Sequence, residues 1–522
     1  MDYRKTKAVP KRCEDFVRDH AIDSPQACAL VYRDKSYTYQ ELVDAIDRCA
    51  SGLLRAGIQK GDRVATLAPP DDKFLISFLA TLSVGAIWQG LNPRYQAQEL
   101  RYLVEDASPS LIFAERTIGD RDYIAALTAM TSPASESITV VALDTWEDDF
   151  SSAIDSGELE QRRSDLGDTD AAIIVYTSGS TGRPKGALLT HEAIVSMSLM
   201  QNRVWPADPL VALNFLPINH VGSIVDITMP VITGGGKLIM MDQFDPDGSL
   251  DLMEQHKVTV WGSVPSVLQM QIASPRFTTV DLSSVELIVW EGAAISQDTF
   301  ETLKGVCPKM ATNYGMTETT SAITITEPTS DEDILLNTVG LPVENVDVRI
   351  ADDADRQVAD GETGEIQTRS IYNISQYWHN ASATADAYTA DGYFKTGDLG
   401  RFRADGRLQL VGRKKEMFKS GGYNVYPREI EDALESHPAI AVAAVVGAEH
   451  TLWGECGVAF MLATGEVAEE DILRYLRERL ANYKLPKALV FVEDFPLLPI
   501  GKIDKQALKS RASLIVKENL EG

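Results

Sequence analysis

A chain of 522 residues is too long for one hydrophobic core and suggests roughly three or four domains or subdomains. Hydrophobic residues make up 44% of the chain, which is ample for burial, and the formal net charge is −27. Such a charge argues against nucleic acid or an acidic membrane surface as the main partner, because like charges repel. An anionic cofactor must therefore meet a local basic patch.

The first part of the chain alternates helical and strand-like patterns. Residues 39–54 carry apolar side chains at helical spacing, whereas residues 63–67, 110–113 and 171–175 are short apolar runs typical of buried strands. This alternation favours helix-covered sheets that are mixed or mostly parallel. The predicted class is α/β, with a large N-terminal domain over residues 1–411.

The pattern changes after Ala322. Short strand-like runs at residues 346–350, 364–368 and 407–411 are punctuated by Gly and Asp. A small β-rich subdomain is therefore predicted at about residues 323–411.

A second change comes near Gly412, where Arg-Lys-Lys-Glu follows a strand. We predict a hinge at residues 412–415 and a mobile α+β C-terminal domain over residues 416–522. Its predicted elements are helices at residues 427–436 and 469–480 and strands at residues 439–446 and 458–462.

The cysteines and the apolar runs bear on location. Five cysteines, at positions 13, 28, 49, 307 and 456, form no C-x-x-C pair and suit a reducing compartment. The first residues lack the apolar core of a secretory signal, and no apolar run is long enough to span a bilayer. We expect a soluble cytoplasmic protein without integral membrane association.

The most informative segment is Tyr-Thr-Ser-Gly-Ser-Thr-Gly-Arg-Pro-Lys-Gly at residues 176–186. Glycines turn backbone N–H groups toward an anion, hydroxyls add donors, and lysine supplies a compact positive charge. The residues predicted to hold phosphate are Thr177, Ser178, Gly179, Ser180, Thr181, Gly182 and Lys185. The loop is predicted to bind ATP.

This loop differs from two well-known nucleotide-binding patterns. Neither the P-loop spacing nor the dinucleotide-binding G-x-G-x-x-G pattern is present. A cluster of Ser, Thr and Gly taken alone more often marks an ordinary surface turn. Segments further along the chain favour the phosphate-binding interpretation.

Five further segments follow in order, at residues 216–222, 313–319, 393–399, 412–431 and 499–505. They read Leu-Pro-Ile-Asn-His-Val-Gly, Asn-Tyr-Gly-Met-Thr-Glu-Thr, Tyr-Phe-Lys-Thr-Gly-Asp-Leu, a long segment from Gly-Arg-Lys-Lys-Glu to Tyr-Pro-Arg-Glu-Ile-Glu, and Pro-Ile-Gly-Lys-Ile-Asp-Lys. With the loop at 176–186 they resemble the core motifs of the adenylate-forming superfamily: acyl-CoA synthetases, peptide-synthetase adenylation domains and beetle luciferases. The resemblance runs over nearly the whole chain.

The resemblance implies a nucleotide site. Glu318 would hold the Mg²⁺ that bridges the phosphates, Tyr314 would present an aromatic face to adenine, and Thr317 would bind the α-phosphate. Asp398 would accept from both ribose hydroxyls with Arg413 as its companion. The other nucleotide-binding positions implied are Gly292, Ala293, Ala294, Asn313, Gly315 and Met316. Taken singly, each could be a core, turn or surface residue.

The C-terminal motifs imply a moving domain. Lys502 would reach the reaction centre and bridge the carboxylate and the phosphate, with Thr181, Glu318 and His220 as the other catalytic residues. Lys415 would be the pivot of a rotation that withdraws Lys502 and brings up a thioester loop, Lys419, Ser420, Gly421, Gly422 and Tyr423. The alternative is a static linker with an ordinary Gly-Gly turn.

The acid pocket departs from the family pattern. His220 and Val221 match the border of the acyl pocket, although a lone histidine is often a core residue. Trp290 and Glu291 replace a small residue and a glycine, which implies a tighter or more polar pocket. Glu291 could instead face away as a paired structural carboxylate.

The leading hypothesis is an ATP- and Mg²⁺-dependent acid:CoA ligase that works through an acyl-adenylate, with coenzyme A as co-substrate and a medium-to-long-chain, cyclic or aryl acid as substrate. One alternative is a freestanding enzyme that loads a carrier protein in trans. Another is a nucleotide-sensing protein on a degenerate scaffold, which the intact motifs disfavour. Expected partners are small molecules and no nucleic acid, and a homodimer is left open.

Overall fold

The structure is a computed structural model that describes residues 12–119, 121–130, 138–146, 150, 154, 156–177, 183–496 and 503–519. Its helices are, in chain order, α1 (Asp15–Asp23), α2 (Tyr39–Arg55), α3 (Asp72–Ser83), α4 (Ala97–Ala107), α5 (Tyr123–Met130), α6 (Ser156–Ser164), α7 (His191–Val204), α8 (Met229–Gly234), α9 (Pro246–His256), α10 (Pro265–Ala273), α11 (Gln297–Val306), α12 (Glu332–Asn337), α13 (Ala381–Ala387), α14 (Pro427–Glu435), α15 (Glu469–Arg477) and α16 (Lys505–Asn519).

The strands of the N-terminal part are β1 (Cys28–Tyr32), β2 (Lys35–Thr38), β3 (Arg63–Leu67), β4 (Ile87–Leu91), β5 (Leu111–Ala114), β6 (Thr117–Ile118), β7 (Arg121–Asp122), β8 (Thr139–Ala142), β9 (Ala171–Thr177), β10 (Lys185–Thr190), β11 (Val211–Asn214), β12 (Lys237–Met240), β13 (Val260–Ser263), β14 (Leu287–Trp290), β15 (Met310–Met316), β16 (Ser321–Ile325) and β17 (Leu341–Pro342). Those that follow are β18 (Asp347–Ala351), β19 (Gly364–Arg369), β20 (Phe394–Phe402), β21 (Leu408–Arg413), β22 (Phe418–Ser420), β23 (Tyr423–Val425), β24 (Ile440–His450), β25 (Gly454–Ala463) and β26 (Ala488–Phe491).

Two large sheets form the N-terminal part. One has the strand order β10-β9-β4-β3-β5-β8, and the other has the order β17-β16-β15-β14-β13-β11-β12-β1-β2. The inner strands of both sheets pair in parallel, whereas β10, β2, β16 and β17 pair antiparallel at the edges. The predicted α/β class with mixed, helix-covered sheets is confirmed.

One hydrophobic core joins these two sheets. It contains Ile173 of β9, Leu238 of β12 and Phe78 of α3, each fully buried or nearly so. The ring of Trp88 in β4 lies 5.1 Å from that of Phe78 at a steep angle, which is a favourable edge-to-face arrangement. Because one core holds both sheets, the loops at their edges keep a fixed relation to each other.

Helix α2 illustrates how local sequence sets the elements. Thr38 accepts a hydrogen bond from the backbone of Glu41, and the Glu41 side chain accepts from the backbone of Thr38, which is a capping box. Apolar residues at helical spacing bury one face of the helix. The helix predicted at residues 39–54 is thus confirmed over Tyr39–Arg55.

Two smaller sheets follow. Strands β18 to β21 form an antiparallel sheet in chain order, and β23-β22-β25-β24 form another sheet, in which β26 pairs in parallel with β25. Helices α14 and α16 both pack on β24. Strands β18 to β20 and the start of β21 lie within the predicted β-rich region, and β22 to β26 lie within the predicted C-terminal region. The division of the chain into domains stays a prediction.

The predicted hinge lies at the junction of these smaller sheets. Strand β21 ends at Arg413 and strand β22 begins at Phe418, so residues 412–415 span the end of one sheet and the start of the connection to the next. Rotation about this segment stays a prediction.

Candidate adenylation site

The hydroxyl-rich loop is carried by a β-hairpin. Strands β9 and β10 pair antiparallel, and Thr177 lies directly opposite Lys185 in the register. The predicted phosphate-binding residues between them, Ser178, Gly179, Ser180, Thr181 and Gly182, lie outside the described residues. The described ends of the loop place a hydroxyl and an ammonium group on adjacent strands at its base.

Glu318 brings three distant segments together. Its Oε1 accepts hydrogen bonds from Thr177 Oγ1 at 3.1 Å and from the Tyr377 hydroxyl at 2.9 Å. The Nζ atom of Lys185 lies 5.1 Å from the centroid of the Tyr377 ring, a cation–π contact. The half-buried carboxylate is therefore held at the base of the predicted phosphate loop.

This carboxylate suits Mg²⁺ that is shared with phosphates. Mg²⁺ is usually held in proteins by one or two carboxylates together with substrate oxygens and water. Among the described residues, no group of three or more His, Cys, Asp or Glu side chains could hold a metal ion. The chemistry of Glu318 thus fits a metal that arrives with the nucleotide.

Tyr377 is a site residue that sequence reasoning missed. The backbone N–H of Trp378 donates to Gly186 of β10 at 2.7 Å, and that of Ile374 donates to the backbone oxygen of Glu318 at 2.9 Å. These bonds fix the segment that carries Tyr377 beside the hairpin. Burial, followed by the charge of Glu318, raises the pKa of the Tyr377 phenol, which therefore remains a donor. Tyr377 stands in none of the six motifs, so the sequence held no signal for it.

A second cluster surrounds Asp398. Asp398 lies opposite Arg413 across β20 and β21, with 3.3 Å between Arg413 Nε and Asp398 Oδ1. The hydroxyl of Tyr314 donates to Asp398 Oδ2 at 2.9 Å, and burial raises the pKa of that phenol. The Arg413 side chain is largely exposed. Asp398 and Arg413 thus form an ion pair, and their predicted role in binding the ribose stays a prediction.

Strand β15 carries the tyrosine and its neighbours into the site. Asn313, Tyr314, Gly315 and Met316 lie on β15, and Thr317 opens the short 3₁₀ turn that holds Glu318. A Cβ on Gly315 would lie 1.6 Å from the backbone oxygen of Ser321, so only glycine fits there. The close approach of β16 therefore fixes the path of this motif.

The end of β14 lies in the core, whereas the residues that follow it are half-buried or exposed. Trp290 is 1% exposed and packs into a second core cluster with Ile288. Glu291 is half-buried, and the amide Nδ2 of Asn313 lies 3.4 Å from its Oε2. Gly292, Ala293 and Ala294 are exposed. Trp290 and Glu291 are the two residues that depart from the family pattern at the acid pocket. Glu291 lies close to Asn313 of the predicted nucleotide site, whereas the Trp290 indole lies in the core and not in the pocket.

His220 stands at the entrance of a π-helical segment, Gly222–Thr228. It is exposed, and its Nδ1 accepts a hydrogen bond from the backbone of Gly222 at 3.0 Å. Val221 beside it is buried in the first core cluster. π-helical turns are rare and are frequent at functional sites.

The connection to the C-terminal part is tied to the nucleotide cluster. Glu365 accepts from the backbone of Gly397, next to Asp398, at 3.1 Å. Its other oxygen lies 3.1 Å from Nζ of Lys414. The predicted pivot Lys415 thus follows a lysine anchored to the β-rich unit.

The predicted thioester loop is a tight hairpin. Ser420 pairs with Tyr423 across β22 and β23, and Gly421 and Gly422 have φ values of +58° and +87°, which favour glycine. Lys419 donates its backbone N–H to Glu455 at 2.8 Å, and Gly421 donates to the backbone oxygen of Trp453 at 2.8 Å. Lys502, the predicted catalytic lysine, lies outside the described residues.

Comparisons with known proteins identify the class. The profile described as "AMP-binding enzyme" matches residues 17–378, and that described as "AMP-binding enzyme C-terminal domain" matches residues 429–502. An indoleacetate–CoA ligase of Aromatoleum aromaticum is 32% identical, covering 95% of this chain and 97% of the relative. A feruloyl-CoA synthase of an Amycolatopsis species is 32% identical, covering 94% and 96%.

A solved structure agrees with these relatives. ATP-bound MatB from Rhodopseudomonas palustris aligns with a TM-score of 0.84 at 28% identity, covering 97% of this chain and 99% of that one. The chain belongs to the AMP-binding enzyme family, the ATP-dependent adenylate-forming superfamily that the sequence motifs indicate. Within it, the chain is an enzyme of the acyl-CoA synthetase type. No helix among the described residues is long and apolar enough to cross a bilayer.

Proposed function

We propose that this protein is an acid:CoA ligase that forms acyl-CoA through an acyl-adenylate and releases AMP and pyrophosphate. The observation that carries the proposal is the convergence of Thr177, Glu318 and Tyr377 beside Lys185, at the base of the phosphate loop. Hydroxyls, a carboxylate and an ammonium group meet there, as the transfer of a nucleotidyl group requires.

In the first half-reaction, the acid carboxylate attacks the α-phosphorus of ATP and pyrophosphate leaves. Asp398 and Arg413 hold the ribose, Lys185 and the loop hydroxyls orient the phosphates, and Glu318 would hold Mg²⁺. When bound, the metal would neutralise charge on the phosphate oxygens. Holding the acid carboxylate and the α-phosphate in a fixed relative position accounts for much of the rate acceleration.

In the second half-reaction, the thiol of coenzyme A attacks the acyl carbonyl and AMP leaves. Lys502 serves the first step, and rotation about Lys415 then replaces it with the loop that contains Gly421 and Gly422. This division of labour follows the superfamily motifs.

For the acid we propose a cyclic or aryl substrate, or a medium-to-long chain. The two relatives above are named for indoleacetate and for a feruloyl product, which supports the aryl choice. The half-buried Glu291 adds a polar group that a plain alkyl chain would not use.

The test is an assay of the purified protein with ATP, Mg²⁺ and a panel of carboxylic acids, with and without coenzyme A. We expect pyrophosphate release with at least one acid, and formation of AMP and an acyl-CoA only when coenzyme A is present. Absence of coenzyme A-dependent AMP formation with every acid would contradict the proposal. A product formed on a carrier-protein thiol, and none on coenzyme A, would select the carrier-loading alternative.

A further inference from the structure

Helix α4 lies against the hairpin that carries the hydroxyl-rich loop. The hydroxyl of Tyr102 donates to the backbone oxygen of Pro184 at 2.8 Å. One turn further along the helix, Asp106 Oδ2 accepts from the hydroxyl of Tyr176 at 2.6 Å, and the backbone oxygen of Asp106 accepts from Nε1 of Trp378 at 3.2 Å. Two residues, four positions apart on one face of α4, therefore contact three separate segments of the chain.

Each of these three segments carries a residue of the candidate phosphate site next to the contact. Tyr176 precedes Thr177, Pro184 precedes Lys185, and Trp378 follows Tyr377. Thr177 and Tyr377 both donate to Glu318, and the ammonium group of Lys185 lies over the Tyr377 ring. Every one of these contacts of α4 thus falls one position away from a residue that surrounds Glu318.

The last turn of α4 is an unfavourable place for an acidic side chain. The helix ends at Ala107, so Asp106 lies where the helix dipole is negative and repels a carboxylate. Asp106 therefore does not stabilise its own helix by its charge. Its hydrogen bond reaches Tyr176 across 70 positions of the chain.

Arg63 of β3 fixes the end of this helix. Its Nε donates to the backbone oxygen of Ala107 at 2.8 Å, and its guanidinium also donates to that of Ser108 at 2.7 Å. The last carbonyl groups of a helix have no partner within the helix, so these bonds supply one. The same guanidinium lies 5.4 Å from the centroid of the Trp378 ring. The end of α4 and the segment that contains Trp378 are therefore tied to the same strand.

The hairpin depends on contacts from outside its sheet. Strand β10 is the edge strand, and β9 is its one neighbour within the sheet. On its other side, the backbone N–H of Trp378 donates to Gly186 at 2.7 Å, and that of Leu188 donates to the backbone oxygen of Gln376 at 3.3 Å. Segments with few packed neighbours open locally most readily. The contacts of α4 hold this hairpin at the end that carries the loop.

We propose that Tyr102 and Asp106 are positioning residues for the β- and γ-phosphates of ATP, because they fix the backbone beside the three residues that surround Glu318. This inference rests on the proposed function, in which the hydroxyl-rich loop orients the phosphates. Groups that are already ordered lose less conformational entropy when a ligand binds. Loss of either contact should therefore weaken the binding of ATP more than that of AMP, which lacks those two phosphates.

The test measures the Kd of ATP and the Kd of AMP for the purified protein with Mg²⁺ and without any acid, by isothermal titration calorimetry. The quantity compared is the ratio of the Kd of ATP to the Kd of AMP. Both ligands are titrated into one preparation, so partial loss of folded protein affects both alike. Tyr102→Phe and Asp106→Ala should each raise this ratio about two- to tenfold.

Two further variants separate positioning from a merely structural role. Asp106→Asn keeps an oxygen that can accept from Tyr176, so it should restore the ratio of the wild type. Tyr176→Phe removes the same hydrogen bond from the other side. Combined with Asp106→Ala, it should therefore raise the ratio no further than either change does alone.

Tyr123→Phe is the matched control. The hydroxyl of Tyr123 also donates to the backbone oxygen of a proline, Pro93, and its ring packs in the same core cluster as that of Tyr102. It makes no contact of this kind with the hairpin among the described residues. Tyr123→Phe should leave the ratio unchanged.

The outcomes can be told apart. An unchanged ratio in both Tyr102→Phe and Asp106→Ala would overturn the positioning role, and a change in one alone would support it for that residue and overturn it for the other. An equal rise in Asp106→Asn and Asp106→Ala would overturn the role of the bond to Tyr176. If the wild type releases pyrophosphate with no acid, the ligase function fails, but this measurement still decides the inference because it needs no acid.

Discussion

Lys505 of helix α16 reaches Glu416, with 2.6 Å between Nζ and Oε2, and lies 2.9 Å from Oε1 of the buried Glu431. Glu416 directly follows the predicted pivot Lys415, and Lys505 follows the predicted catalytic lysine by three positions. The backbone N–H of Asp504 also donates to Pro496 at 2.8 Å. The described residues on either side of positions 497–502 are therefore hydrogen-bonded to each other, and Lys505 is held next to the predicted pivot.

Removing this anchor should loosen the loop. In Lys505→Met, Glu431 loses its ammonium partner, and hydrogen bonds to charged groups contribute about 1.5–3 kcal/mol each. We expect a lower melting temperature and a loss of adenylate formation, measured by pyrophosphate exchange, that exceeds the loss of thioester formation from a supplied acyl-adenylate. Lys509→Met, on an exposed position of the same helix, should change neither. Equal losses in both half-reactions would show that the anchor does not serve Lys502.

Tyr377 should affect the dependence of adenylate formation on Mg²⁺. In Tyr377→Phe the carboxylate of Glu318 loses a donor at 2.9 Å and is less well held. We expect adenylate formation to fall roughly tenfold and the Mg²⁺ concentration for half-maximal rate to rise, as measured by pyrophosphate exchange at varied Mg²⁺. Tyr393→Phe is the matched control, because that hydroxyl bonds to Asp347. An unchanged Mg²⁺ dependence in Tyr377→Phe would contradict the positioning role.

The two half-reactions should respond in opposite ways to changes at the pivot and at the catalytic lysine. Lys415→Pro fixes the backbone φ at the pivot, and no described residue accepts a hydrogen bond from the Lys415 backbone N–H. We therefore expect thioester formation to slow more than adenylate formation. Lys502→Ala should abolish most adenylate formation and leave thiolysis of a supplied acyl-adenylate largely intact.

The control for the pivot is Lys415→Ala, which removes the side chain but leaves φ free. It should affect the second half-reaction less than the proline does. Normal rates of both steps in Lys415→Pro would show that the rotation does not take place at this residue.

Asp71 should make stability depend on pH. Its side chain caps α3 by accepting from the backbone of Phe74 at 2.7 Å. Burial, together with the charges of Asp72 and Glu115, raises its pKa from 3.8 to about 8. The folded state therefore keeps a proton that the unfolded chain has lost, so this group's contribution to stability falls as pH rises from about 4 to 8.

Asp71→Asn keeps the capping oxygen and removes the titration. The free energy of unfolding of the variant relative to wild type should rise with pH, by up to about 1.4 kcal/mol per pH unit, in urea denaturation at pH 5, 6, 7 and 8. Asp245→Asn, at the exposed cap of α9, is the control and should show no such trend. A constant difference for Asp71→Asn would mean that its carboxyl is already ionised in the folded state at pH 5.

The sequence predicts those parts of the site that repeat a local pattern. Asp398 and Arg413 are predicted as companions and lie on adjacent strands, and the hydroxyl-rich segment lies between two paired strands. Each prediction depends on a motif whose residues are close in the chain or fixed by the superfamily. The element bounds agree within a few residues because capping and apolar spacing act locally.

What the sequence could not predict depends on contacts between distant segments. Tyr377 meets Glu318 across 59 positions of the chain. Asp226 stands alone in an apolar run, and only the folded structure brings it to Glu291, which by sequence could be either a pocket residue or a paired carboxylate. The structure places Glu291 next to Asp226 and 3.4 Å from the amide of Asn313. The direction of Trp290 into the core likewise depends on which face of β14 meets the helices.

The contact between Lys505 and Glu416 also affects the design of chimaeras that combine the C-terminal part of this chain with the N-terminal part of a relative. Glu416 precedes the C-terminal sheet in the chain but belongs by contact to the terminal helix. A splice made before residue 416 carries both partners in one piece, whereas a splice after it leaves Lys505 facing a foreign side chain. Chimaeras joined just after Lys415 should therefore retain the native contact between Lys505 and Glu416.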